Sequence, residues 1–195
     1  MKPPLADAVF AGCIATLVTT LGLSVPASAQ VPPPVGERIA ASLAAIDPQR
    51  IEATIRTLVG FGTRHVLSRT DSDTEGTGAA RKWLREQYEA MATSSEGRLT
   101  VALQAESVPC TRPGMPKEVP IVNVIATLRG VGDPDRIYVV GGHYDSRNGR
   151  GEDGTALAPG AVDDASGTAV ALEACRVMCA QSFLATLVFV AYDGE

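Results

Sequence analysis

Two uninterrupted apolar runs flanking one helix-forming stretch constrain this chain most. Ile137-Tyr138-Val139-Val140 and the segment from Ala185 to Tyr192 lack polar and apolar alternation, as expected of interior strands covered on both faces. Between them, Gly167 to Ala180 is apolar nearly all round, which predicts a buried helix. Parallel strands need a crossover, so strand, helix and strand in this order predict a βαβ unit. The expected class is α/β, with a mixed, mainly parallel central sheet and helices on both faces.

Upstream, Ile39, Leu43, Ile46, Ile51, Ile55 and Leu58 fall at amphipathic-helix spacing, broken at Asp47-Pro48. Asp can cap and Pro can start a second helix there. Ser68 to Gly78 is polar and reads as a loop, and Ala79 to Met91 predicts a helix with Ala80, Trp83, Leu84 and Tyr88 on one face. Thr100 to Val108, Val119 to Leu128 and Ile137 to Gly142 predict strands, with Cys110 to Pro116 as loop and Gly130 to Arg136 as a hairpin connection.

The N-terminal region has a different character. Val9 to Val25 is uncharged and apolar, follows Lys2, and leads into Ala27-Ser28-Ala29, so residues 1–29 read as a secretory signal peptide. Asp7 is atypical of such a leader, and the alternatives are an uncleaved membrane anchor or a buried helix. Residues 30–36, which include Val31-Pro32-Pro33-Pro34, read as a stiff linker, leaving 37–195 as the folded part. No later segment is long and apolar enough to span a bilayer. The product is expected to be secreted or periplasmic, with no stable membrane span after leader cleavage.

Charge and cysteine content exclude further classes. With 17 Lys+Arg against 22 Asp+Glu the net charge is −5, which argues against nucleic acid as a partner. Cys110, Cys175 and Cys179 remain once Cys13 leaves with the leader, an odd count that implies a free thiol or an absent partner in an oxidising compartment. Cys175 and Cys179 fit one helix face and read as small buried hydrophobes, and no Cys/His quartet has zinc-cluster spacing.

In an open α/β sheet, ligands bind beyond the carboxyl ends of the strands. Three such places carry chemistry here. His143 leaves the first apolar strand with Asp145 two residues on, well placed to be the carboxylate that orients an imidazole ligand; alone, His143 is weak evidence, because a structural histidine is commoner than a ligand. Asp163-Asp164 enters the crossover helix, where one carboxylate, assigned to Asp164, can cap the helix and the other, Asp163, is free to bind a cation. Glu195 follows the last apolar strand, where a carboxylate could act as a general base. An EF-hand reading fails both for Asp163, whose twelfth position is Ala174, and for Asp71, whose twelfth is Lys82.

Together, Gly142-His143-Tyr144-Asp145-Ser146, Ala158-Pro159-Gly160-Ala161-Val162-Asp163-Asp164-Ala165-Ser166-Gly167 and Phe189-Val190-Ala191-Tyr192-Asp193-Gly194-Glu195 resemble the secreted zinc aminopeptidases of metallopeptidase family 28. Relatives of that family include bacterial leucyl aminopeptidases, glutamate carboxypeptidases and glutaminyl cyclases. Gly62-Thr63-Arg64-His65 and Ile121-Val122-Asn123-Val124 add weaker likeness. The resemblance implies a zinc-dependent exopeptidase fold in which His143 binds one zinc, Asp145 orients it, Asp163 bridges two Zn2+ and Glu195 is the general base. His65 matches no ligand position. The family pattern continues with a second Glu, an Asp and a His, so the resemblance implies an N-terminal portion, incomplete at its C-terminus. Such a portion is expected to bind zinc weakly, without useful turnover, and to expose apolar surface. The implied activity is removal of residues from peptide or protein N-termini, with a glutaminyl cyclase-like acyltransferase or a non-catalytic receptor-like domain as alternatives.

Overall fold

The computed structural model describes residues 34–195. The signal peptide read at 1–29 and most of the linker read at 30–36 lie outside the described residues. Helix α1, Val35–Ala44, starts two residues inside that linker. Helix α2, Pro48–Gly60, opens as its sequence predicts: Pro48 occupies the first turn and Gln49 N–H donates to Asp47 Oδ1 at 2.9 Å. Such caps are typically worth about 1 kcal/mol. Helix α3, Gly76–Ala92, begins inside the stretch read as loop and buries Ala80, Leu84 and Tyr88.

Strands β1 (Leu99–Pro109), β2 (Glu118–Leu128) and β3 (Asp133–His143) precede helix α4 (Ser166–Met178) and strand β4 (Ala185–Tyr192). The order across the sheet is β1-β2-β4-β3. The predicted βαβ unit is present: β3 and β4 pair in parallel, with α4 crossing between them. The mixed α/β class therefore holds.

Four finer expectations are corrected. Pairings β1-β2 and β2-β4 are antiparallel, so among the described strands only β3-β4 is parallel, because α4 is the single crossover helix between strands. Gly130 to Arg136 is not a hairpin connection. Strand β4 inserts between β2 and β3, the linking residues bond to Phe183 and Leu184 at its start, and β3 already begins at Asp133. Among the described strands β3 lies at the edge of the sheet rather than inside it, with Ile137 57% and Val139 56% exposed. Finally, α2, α3 and α4 are not divided between the two faces. Leu58 of α2, Leu84 and Tyr88 of α3 and Leu172 and Cys175 of α4 all join one core with Val124, Ala126 and Phe189 of the sheet. An apolar run records that a strand is meant to be covered, but not by which segment.

Cys175 and Cys179 lie in that core as free thiols, as small hydrophobes do. Asp71, Asp73 and Glu75 form exposed ion pairs with Arg69 and Lys82, consistent with a solvated loop. No helix among the described residues is long and apolar enough to cross a membrane.

Candidate metal centre

Parallel pairing of β3 with β4 brings His143 level with Tyr192, so both strands end at one edge, where α4 also begins. Gly142 makes this approach possible. A side chain there would run into the backbone of Gly167 and Thr168 at the start of α4. Asp164 locks the junction: its Oδ1 accepts from Gly167 N–H at 2.7 Å and its Oδ2 from His143 N–H at 3.2 Å. That is the capping role expected of Asp164, extended to the neighbouring strand.

Asp163 is thereby left free to face His143. Its Oδ1 lies 3.0 Å from His143 Nε2, while Nδ1 lies 3.2 Å from the Asp145 carbonyl and 3.4 Å from Asp145 Oδ1. Burial alone would lower the pKa of the imidazole, but the Asp145 carboxylate and carbonyl, with Asp163 and Asp164, outweigh it and raise the pKa above its ordinary value. Asp145 is buried, which pushes its own carboxyl up, although Glu195 N–H and His143 act against that.

Glu195 reaches the same place from β4. Its N–H donates to Asp145 Oδ2 at 3.1 Å, and its Oε2 lies 3.8 Å from Arg147 Nε. One donor atom from each of His143, Asp163 and Glu195 lies within 4.8 Å of the others. An imidazole nitrogen and two carboxylates are a donor set that zinc accepts, and about three protein ligands is usual for a catalytic zinc. All four residues singled out from sequence, His143, Asp145, Asp163 and Glu195, therefore meet at one locus. A pocket of about 210 Å³ opens beside Glu195, walled by Asp145, Arg147, Arg112, Cys110 and Met115.

His65 lies outside the donor group. Its Nδ1 accepts from Leu67 N–H and its Nε2 donates to the Gly151 carbonyl, so both nitrogens are engaged. Residues that sequence reasoning noticed without giving a role frame the centre. Asp193 N–H donates to Asn123 Oδ1 at 2.9 Å and Asp193 Oδ2 accepts from Val122 N–H at 3.0 Å, continuing the β2-β4 ladder by side chains beyond its last pair, Val124 with Ala191. Burial raises the Asp193 carboxyl to about 6, opposed by Val122 N–H and Tyr144. Arg64 is fully buried beneath the site. In the sequence Arg64, Val122 and Asn123 carry only the weaker likeness of their two short motifs, and Asp193 that of the Phe189 to Glu195 motif.

Fold and site together define an α/β scaffold that presents a metal-type donor set at the carboxyl ends of its strands. Residues 123–195 match the model of peptidase family M28, the family that the sequence motifs resemble. A probable zinc metalloprotease of Leptosphaeria maculans is 45% identical over 165 residues, covering 85% of this chain and 38% of the relative. One from Pyricularia oryzae is 45% identical over 183 residues, covering 87% of this chain and 36% of the relative. The chain thus spans little more than a third of the length of these curated relatives. Among solved structures, the LapA aminopeptidase of Legionella pneumophila superposes with a TM-score of 0.57 at 23% identity, over 83% of this chain and 38% of that one. A glutaminyl cyclase of Macrostomum lignano gives 0.59 at 21% identity, over 87% and 44%. At these identities the two structures speak for the fold alone.

Proposed function

We propose that this chain carries the part of a zinc-dependent aminopeptidase that binds metal and transfers the proton, acting on peptide or protein N-termini. The observation that carries the reading is the convergence of His143, Asp163 and Glu195 within 4.8 Å, with Asp145 behind the imidazole. His143 and Asp163 would hold the ion, and Asp145 would fix the ring so that Nε2 faces it. A bound zinc ion supplies Lewis-acid polarisation of the scissile carbonyl. Glu195 accepts a proton from the attacking water on its carboxylate and returns it to the leaving amine. Its N–H bond to Asp145 fixes the backbone from which that carboxylate extends.

The names of the relatives at 45% identity favour a peptidase over a cyclase. One ion fits the donors of this chain. The second ion and useful turnover are expected of a longer protein, given the lengths of those relatives. The leader read at 1–29 makes the protein an exported one, which the N-terminal sequence of the mature product would check.

The test combines binding with turnover. His143→Ala and Asp163→Asn should abolish Zn2+ binding measured by calorimetry. Glu195→Gln in the intact protein should keep metal while lowering kcat on aminoacyl amides by about 10²- to 10⁴-fold. Unchanged kcat in Glu195→Gln would remove it from the general-base role, and release of ammonia from glutaminyl peptides without amide hydrolysis would move the chemistry to a cyclase.

A further inference from the structure

A buried guanidinium ties together the two segments that carry the metal-type donors. Arg64 is 0% exposed, and its Nε donates to the Tyr144 carbonyl, the residue next to His143. Nη1 donates to the Pro159 carbonyl at 2.9 Å and to the Leu58 carbonyl, at the end of α2, at 2.8 Å. Nη2 donates to the Gly160 carbonyl at 3.0 Å. That last acceptor also receives Ala165 N–H at 3.1 Å, the bond that closes the turn holding Asp163. The backbone adds to the same bracket: Arg64 N–H donates to Ser146 Oγ, Ser146 N–H returns to the Arg64 carbonyl, and Ser146 Oγ donates to the Ala158 carbonyl at 2.6 Å.

Several features show that the arrangement is specific to arginine. Gly160 has φ +44°, and a side chain there would come within 3.0 Å of Arg64 Nη2 and 2.6 Å of the Ser146 Cβ, so the loop is shaped around this contact. Burial lowers the guanidinium to a pKa of about 10, against the pull of Asp145, yet leaves it charged at neutral pH. A lysine has no planar fork, so it cannot reach carbonyls arrayed in this way. Among the described residues no acidic side chain bonds to the guanidinium; its donors go to backbone carbonyls on three separate segments.

We propose that Arg64 is a positioning residue for the metal centre, setting the separation of His143 and Asp163 by clamping residue 144 to residues 159 and 160. The proposal rests on the metal reading above. Loss of the clamp should leave both donors present but spread over a range of separations. The affinity for a metal ion then falls even though no ligand has been removed, as when groups behind a ligand are lost.

The test compares the wild-type chain with Arg64→Lys, and with Leu99→Ala as a control for lost stability. Leu99 is buried at the opposite end of the sheet, paired with Leu128, so its truncation destabilises without touching the site. Two quantities are read, the Co2+ dissociation constant and amide exchange at Ser146, Ala158 and Ala165. Arg64→Lys should weaken Co2+ binding about tenfold or more and speed exchange at those three amides, beyond any change in Leu99→Ala at matched melting temperature. Co2+ affinity within twofold of wild type, or losses that simply track melting temperature in both variants, would overturn the proposal. Should Arg64→Lys fail to fold, Ser146→Ala removes two links of the bracket and must show the same pattern at smaller size, and no change there counts against the clamp. A wild-type chain that binds no Co2+ at all sinks the metal reading, and the exchange comparison alone then decides the role of Arg64.

Discussion

The proton on His143 and a metal ion compete for one nitrogen. Nε2 faces Asp163, and the surrounding carboxylates raise the imidazole pKa despite its burial. A raised pKa in the folded state means that the apo protein gains stability from this group at low pH and loses it as pH rises through the folded value. Metal binding must displace the proton, so affinity for Zn2+ should rise with pH and level off only above the His143 pKa, which lies higher than that of an ordinary histidine. Calorimetry at a series of pH values checks this, and affinity independent of pH between 6 and 8 would contradict it. His143, Asp145, Asp163 and Glu195 stood out in the sequence because each follows an apolar strand or enters a helix, and their roles came only from the family resemblance of their motifs. Arg64 was not legible. Its partners are backbone carbonyls up to 96 residues away, and carbonyls carry no sequence signature.

At the scale of elements, the βαβ unit was readable because the helix period and the apolar strand runs agree, and α2 because Asp47 and Pro48 both mark its start. Position in the sheet was not readable. Nothing local to Gly130–Arg136 states that β4 will insert between β2 and β3. The end of that inserted strand supports Glu195 through Asp193, which substitutes side-chain bonds for strand pairing with β2. Because the Asp193 carboxyl is raised to about 6, it contributes stability that is fully present below its ordinary range and lost as pH rises through 6. Asp193→Asn should therefore flatten the dependence of melting temperature on pH between 4 and 7. An unaltered slope would show that another group carries it. In the core, Leu84→Ala should cost about 2–5 kcal/mol, as for other buried leucines, read from denaturant unfolding.

Across the described residues as a whole, the sheet carries its helical core on one side. Helices α2, α3 and α4 join one core with the sheet, while Ile137 and Val139 of β3 remain exposed. An open apolar edge strand invites association. The chain alone should bind a hydrophobic dye and sediment as concentration-dependent oligomers, whereas a sharp melt of a stable monomer, independent of concentration, would contradict this. His143 and Asp163, the residues proposed to hold an ion, and Glu195, the proposed base, converge within 4.8 Å of one another. The most direct measurement is calorimetric titration of Zn2+ into the chain at neutral pH, in parallel with His143→Ala. One binding event per chain, lost in His143→Ala, is the expected result. Two tight sites, or one that survives that substitution, would contradict the assignment of the metal centre.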